Sequence, residues 1–233
     1  MRIFIFSLLL FIALPAAAQD FSAPIQTKAS PVLVELFSSE NCPACPPADK
    51  YMQTLMQSKG VIALSCHVDY FGRTSANLGK KFCTERQGRY IDQIGRKSYF
   101  TPQMMINGHM SEIGYEFEQV SAAIVKGRSE RVSEIFIRPK SDGVYDFSIP
   151  ERQYDGQADI WMAVYEKPKT VLDHGGRMTF YNVVSRFIPL GNWGGGQIGR
   201  AIYPITDDKS AGFAIVAQDR KSGEVVAAGD YKF

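Results

Sequence analysis

The sequence has 233 residues and a formal net charge of +2, from 26 basic and 24 acidic side chains that are interspersed along the chain. This balance excludes a strongly basic nucleic-acid-binding protein and a polybasic membrane-binding patch. The chain is also too long for a small scaffold held together by disulfides, since a chain of this size buries a hydrophobic core. Its four cysteines are therefore not required for basic stability.

The N-terminus is typical of a secretory signal peptide. A basic residue, Arg2, precedes the apolar run Ile3 to Leu14, and small residues follow from Ala16 to Ala18. The run has about a dozen residues, fewer than the roughly 20 that span a bilayer, so we expect cleavage after Ala18 rather than an uncleaved anchor. We therefore predict a signal peptide over 1–18 and a periplasmic or secreted mature protein without membrane insertion. Disulfides persist in that compartment.

Residues 19–130 alternate strand and helix patterns. Apolar runs of strand-forming residues predict four strands, and apolar residues at helical spacing predict three helices. The strands are expected at 32–37, 61–68, 103–106 and 110–114, and the helices at about 48–59, 80–95 and 117–127. Asn107-Gly108 is a strong hairpin signal. Because strands alternate with helices, an α/β fold is predicted for this part.

The pattern becomes β-rich after about residue 130. Short runs alternate apolar and polar residues, and turn sequences such as 192–196 separate them. The runs lie at 133–138, 144–149, 158–165, 177–187, 198–205, 212–219 and 224–231. Regular short strands with such turns predict a β-rich, sandwich-like domain over 131–233.

Cys42 and Cys45 form a CxxC motif that follows a predicted strand and opens a predicted helix. A helix N-terminus favours the reactive thiolate, because it presents free N–H groups and the positive end of the helix dipole. We expect an exposed Cys42 to attack, and Cys45, one turn inside the helix, to resolve the mixed disulfide. In this context the motif predicts a redox-active pair, with a structural disulfide and a metal site as alternatives.

The remaining cysteines are Cys66, in the second strand, and Cys83, in the following helix. Four cysteines allow three pairings, and the sequence alone does not choose among them. A structural Cys66–Cys83 disulfide is favoured, because neither residue lies at a helix N-terminus. The alternative is a second redox pair that passes electrons to Cys42–Cys45.

The strand-CxxC-helix pattern, followed by Thr101-Pro102 before a strand, resembles the thioredoxin-like superfamily. The segments 34–39, 42–49, 67–70 and 99–104 resemble more closely a family of secreted thioredoxin-like proteins of Gram-negative bacteria, a domain family of unknown function. This resemblance covers roughly the whole mature chain. It implies an α/β fold class, with a thioredoxin-like N-terminal domain followed by the β-rich, sandwich-like domain described above.

The resemblance also implies roles for three residues. Pro102 is expected in the cis form, facing the cysteine pair, and the backbone of Thr101 is expected to pair with substrate; the alternative is an ordinary trans proline. Glu35 is expected to move the proton of the inner thiol, because a buried carboxyl has a raised pKa and acts as a base near neutral pH. The alternative is that Glu35 faces outward or pairs with a lysine.

His67 ends the second predicted strand, where side chains often line a site. It is a candidate for tuning the thiolate or binding a metal, although a satisfied, partly buried histidine is the commoner case.

The sequence therefore predicts an exported thiol–disulfide oxidoreductase that acts on exported proteins with thiols or disulfides. A redox partner protein is expected to serve it, no cofactor or metal is expected, and the direction of the reaction is left open. One alternative is a copper-binding or copper-delivery module that uses Cys42, Cys45 and His67, because copper(I) suits soft thiolates. The other is a non-catalytic binding protein in which the CxxC motif is structural.

Overall fold

A computed structural model describes residues 30–72, 77–141, 143–173, 176–204 and 206–233. The predicted signal peptide, 1–18, lies outside the described residues. Within them the chain forms three helices and fourteen strands. None of these helices is long and apolar enough to cross a membrane.

The helices are α1 Pro46–Gln57, α2 Lys81–Gln93 and α3 Phe117–Gly127. The strands of the first half are β1 Val32–Ser38, β2 Val61–His67, β3 Gln103–Ile106 and β4 Met110–Ile113. Those of the second half are β5 Ser133–Glu134, β6 Phe136–Ser141, β7 Val144–Ile149, β8 Ala158–Glu166, β9 Lys169–Asp173, β10 Gly176–Phe180, β11 Val184–Trp193, β12 Ile198–Ile202, β13 Ser210–Asp219 and β14 Val225–Lys232.

The strands form four sheets in the described part of the chain. A four-stranded sheet has the order β2-β1-β3-β4, in which β1 runs parallel to β2 and antiparallel to β3. A five-stranded sheet has the order β11-β8-β13-β14-β5, and a three-stranded sheet the order β12-β7-β6. The hairpin of β9 and β10 forms the fourth.

The expected fold class, α/β with a thioredoxin-like N-terminal domain, is wrong: the described chain is mostly β, with several sheets and only three helices. The reason lies in what covers the four-stranded sheet. Its Val34 face packs against α1 and α3, as a layered α/β fold requires. Its other face, through Leu33 and Leu64, packs mainly against the five-stranded sheet, at Trp161 and Val216. Sheet-on-sheet packing therefore takes the place of much of a second helical layer, and α2 covers the part of this face at Phe37 and Met105.

The five-stranded sheet is buried on both faces. Along β8, Trp161 and Ala163 face the four-stranded sheet, whereas Ile160 and Met162 face the three-stranded sheet. This double burial requires a nearly continuous apolar sequence, because successive side chains of a strand point to opposite faces. The buried cluster around Leu33 thus contains residues from both sides of position 130. The division of the chain into separate domains over 19–130 and 131–233 stays a prediction.

Most predicted elements of the first half are confirmed within two residues of their ends, including the Asn107-Gly108 hairpin. In the second half, β9 was not predicted, and the single strand expected over 177–187 is two strands. The break occurs at Asn182, which has a φ of 48° and bonds β2 through its side chain to Ala63 and through its carbonyl to Ser65. A tertiary contact with a distant strand therefore interrupts the local pattern.

Candidate functional site

The Cys42–Cys45 disulfide lies at the start of α1, with the two Cα atoms 5.4 Å apart. Pro46 and Pro47 occupy the first helical positions, where their missing N–H groups cost no hydrogen bond. Cys45 is consequently the N-cap residue. Cys42 lies in the preceding turn, and its carbonyl accepts a hydrogen bond from the Cys45 N–H. The expectation that Cys45 lies one turn inside the helix is therefore incorrect, since the prolines set a later start.

The two cysteines of this disulfide differ in solvent exposure. Cys42 is 5% exposed and Cys45 is fully buried. Cys42 is thus less open than the sequence suggested, although it is the member of the pair that an outside thiol can approach.

Thr101 and Pro102 adjoin the disulfide. The Thr101–Pro102 peptide bond is cis, as expected. The Thr101 hydroxyl donates a hydrogen bond to Cys42 Sγ at 3.2 Å. No hydrogen bond to the backbone N–H or carbonyl of Thr101 occurs within the described ranges. The segment therefore presents free backbone groups beside Cys42.

Three exposed aromatic side chains, Tyr70, Phe71 and Tyr99, lie on the same side of the site. The ring of Tyr70 packs against Phe71 and Tyr99, with centroids 5.1 and 5.8 Å apart. Asn41, the residue before Cys42, donates its Nδ2 to the carbonyl of Phe71 at 3.2 Å. This aromatic rim provides an apolar contact surface beside the disulfide.

Glu35 is fully buried, as predicted, but it lies on the face of β1 shared with Leu33 and Phe37, opposite to α1. Arg86 of α2 binds both of its carboxylate oxygens, and the Tyr90 hydroxyl donates to one of them. Among the described residues, no hydrogen bond joins Glu35 to either cysteine of the CxxC motif. A role for Glu35 in proton transfer stays a prediction, while its observed contacts are those of a buried ion pair.

Asp49 is an acidic residue of the site that the sequence reasoning did not single out. It is 2% exposed and lies one helical turn after Cys45, whose carbonyl accepts the Asp49 N–H at 3.0 Å. The Ser38 hydroxyl donates to Asp49 Oδ2 at 2.8 Å, while Oδ1 has no hydrogen-bond partner among the described residues. The signal in the sequence was an acid in the buried stripe of α1, between Ala48 and Met52.

His67 ends β2 beside Asp49, with Nε2 3.9 Å from Asp49 Oδ1. The ring is fully buried and packs edge-on against Phe180, with the ring centroids 4.9 Å apart. Within the ranges that the structure describes, neither ring nitrogen has a hydrogen-bond partner. Burial raises the pKa of Asp49 to about 8 and lowers the pKa of His67 to about 3. Both side chains are therefore largely uncharged at neutral pH.

Cys66 and Cys83 form the second disulfide, with Cα atoms 5.3 Å apart. Both are fully buried, in an apolar cluster with Phe37, Tyr90 and Met105. The expected pairing is confirmed, and its structural role stays a prediction. The two disulfides together suggest an oxidising environment and an exported protein.

The metal-binding alternative requires several ligand side chains close together. Throughout the described segments, no three His, Cys, Asp or Glu side chains are grouped so that they could hold a metal ion. His67 has Asp49 beside it, and the two CxxC sulfurs are bonded to each other.

Three comparisons place this chain among known proteins. A family model described as a protein of unknown function (DUF1223) matches residues 33–218. A crystal structure of a protein from Agrobacterium tumefaciens, from a structural-genomics consortium, is similar with a TM-score of 0.75 and 27% identity, over 88% of this chain and 96% of that chain. HBP35 of Porphyromonas gingivalis has a similar fold, with a TM-score of 0.61 and 9% identity, over 88% of this chain and 76% of that one. The comparison with curated proteins found no match.

Proposed function

The chain belongs to the family described as a protein of unknown function (DUF1223), and since that description names no activity, we propose one from the geometry of the site. The protein is an exported thiol–disulfide oxidoreductase of the periplasm or the cell exterior. Its Cys42–Cys45 pair exchanges with thiols and disulfides of exported proteins, and a redox partner protein restores its starting state.

The observation that carries this proposal is the contact between Thr101 and Cys42. A hydroxyl that donates to Cys42 Sγ stabilises the charged form of that sulfur, and hydrogen bonding to a thiolate lowers its pKa. The adjacent backbone groups of Thr101 are unbonded, so an extended substrate segment can pair with them. Side chains flanking the substrate cysteine then contact the aromatic rim of Tyr70, Phe71 and Tyr99.

The exchange proceeds in two steps. A substrate thiolate attacks Cys42 Sγ, the Cys42–Cys45 bond breaks, and its electron pair leaves with Cys45. A second substrate thiolate then attacks the substrate sulfur of the mixed disulfide and releases Cys42 as a thiolate. The substrate has been oxidised to a disulfide, and the protein has been reduced to a dithiol. The reverse sequence reduces a substrate disulfide.

A turnover assay with a dithiol peptide tests the proposal. The oxidised protein, in catalytic amount with glutathione disulfide as terminal oxidant, should speed peptide disulfide formation at pH 7. We expect an acceleration of at least about tenfold over glutathione disulfide alone, because a stabilised Cys42 thiolate leaves readily in the second step and is the form that attacks glutathione disulfide when the protein is reoxidised. The mass of the alkylated peptide reports the rate. Exchange no faster than background in either direction would contradict the proposal.

A further inference from the structure

The exchange steps leave one buried pair of polar side chains without a role. Asp49 Oδ1 and both ring nitrogens of His67 have no hydrogen-bond partner in the described part of the chain, although both residues are almost fully buried. Buried polar atoms in folded proteins nearly always have partners, and an unsatisfied group lowers stability. An apolar pair of similar size at these positions would avoid that loss. The presence of this polar pair therefore indicates a chemical role for its unpaired polar atoms.

The position of Asp49 identifies that use. Residues four apart on a helix are neighbours on one face, with Cβ atoms about 5–6 Å apart, and Asp49 follows Cys45 by four. Cys45 is fully buried, so the charge that it acquires when the disulfide opens is formed away from solvent. Burial disfavours a thiolate. Cys45 consequently needs a proton donor inside the protein, and Asp49 is the acidic side chain on its helix face.

The groups around Asp49 keep it protonated at neutral pH. Desolvation raises its pKa to about 8, with a further increase from the nearby charge of Glu40 and an opposing decrease from the Ser38 hydrogen bond. From β2, His67 adds no positive charge, because burial lowers its pKa to about 3. The His67 ring packs edge-on against Phe180, which is apolar. Asp49 is thus a neutral acid that faces a neutral imidazole.

We propose that Asp49 is the proton donor to Cys45 when the disulfide opens, and that His67 is a positioning residue for Asp49. This inference rests on the proposed function of Cys42 and Cys45. As a substrate thiolate bonds to Cys42 Sγ, the electron pair of the breaking bond goes to Cys45 Sγ, which takes the Asp49 proton. The resulting carboxylate keeps the Ser38 hydrogen bond and accepts one from the N–H of His67, until it regains a proton from solvent.

The test is the pH dependence of disulfide opening by a small thiol such as glutathione. The oxidised full-length mature protein is mixed with the thiol from pH 5 to 10, quenched by alkylation, and assayed for free Cys45 by mass spectrometry. The rate is divided by the concentration of glutathione thiolate at each pH. For the unmodified protein this quotient should be constant at low pH and should fall above about pH 8, as Asp49 loses its proton.

Two variants and a control test whether Asp49 causes this pH dependence. Asp49→Asn keeps the shape and should lower the quotient by about 100-fold below pH 8, a typical loss for a general acid, and remove its pH dependence. Ser38→Ala removes the hydrogen bond that lowers the Asp49 pKa, so the fall should move to higher pH. Asp92→Asn, on the surface of α2, should match the unmodified protein.

The inference is overturned if the quotient stays flat through pH 8 in the unmodified protein, or if Asp49→Asn gives the same profile. Should Asp49→Asn fail to fold, an unshifted profile in Ser38→Ala overturns it equally. A disulfide that glutathione opens in no variant at any pH would overturn the proposed function itself, so the two failures are distinguishable.

Discussion

Replacing Cys42 by serine is expected to reduce thiol–disulfide exchange to the uncatalysed background, whereas replacing Cys45 by serine should trap substrate as a mixed disulfide. Serine at position 42 offers no sulfur for attack. Serine at position 45 leaves Cys42 able to react but removes the thiol that resolves the mixed disulfide. The probe is a peptide disulfide: Cys42 attacks one of its sulfurs, one peptide leaves as a thiolate, and the other stays bonded to Cys42. The mass of the intact protein, measured without reductant, checks both outcomes.

The matched control for these variants is the double substitution Cys66→Ala and Cys83→Ala. This disulfide joins residues 17 apart, and its loss should lower the free energy of unfolding by about 3 kcal/mol. Exchange at Cys42 should persist at a temperature where the control remains folded. The account fails if Cys42→Ser retains full exchange, or if the control variant loses exchange while folded.

Replacing Arg86 by methionine should lower the free energy of unfolding by about 3–5 kcal/mol, because it leaves the Glu35 carboxylate buried without its partner. Arg86 is 4% exposed and binds Glu35 through two nitrogens, with Nη2–Oε2 at 2.9 Å. Its guanidinium also lies 3.9 Å from the ring centroid of Trp161. Through Glu35 and Trp161, the Arg86 side chain therefore connects the four-stranded sheet to the five-stranded sheet. Denaturant unfolding of the oxidised protein measures the loss.

Two further variants separate charge from packing in this pair. Adding Glu35→Gln to Arg86→Met removes the unpaired charge and should recover a large part of the lost stability, since an uncompensated buried charge is the main cost of breaking such a pair. Arg89→Met, at an exposed position of α2, should change the free energy of unfolding by less than about 0.5 kcal/mol. A loss below about 1 kcal/mol for Arg86→Met would show that the ion pair does not hold these layers together.

Local sequence patterns were sufficient to place most of the helices and strands, because apolar spacing and turn residues act over a few positions. The hairpin at Asn107-Gly108 illustrates this, since both residues adopt the positive φ that such a turn needs. The fold class could not be obtained in the same way. It depends on what covers the Leu33 face of the four-stranded sheet, and the covering strands, β8 and β13, lie more than 100 residues along the chain.

The same distinction holds for the site. The CxxC motif was identifiable from the spacing of its cysteines between a predicted strand and a predicted helix. Thr101-Pro102 was identifiable through the family resemblance. The contacts of Glu35 could not be identified from the sequence, because Arg86 is 51 residues away along the chain. Asp49 was overlooked for a different reason: an acid in the first turn of a helix is ordinarily explained by the helix dipole, and only its burial beside Ser38 and His67 distinguishes it.

The most direct test of the redox function is a titration of the folded mature protein in glutathione buffers of increasing reducing strength. Free thiols are trapped by alkylation at each step, and mass spectrometry reports every cysteine separately. We expect Cys42 and Cys45 to convert together at a potential within the glutathione range, while the buried Cys66 and Cys83 stay oxidised. A Cys42–Cys45 disulfide that resists reduction until the protein unfolds, together with Cys66–Cys83, would contradict the proposed redox function.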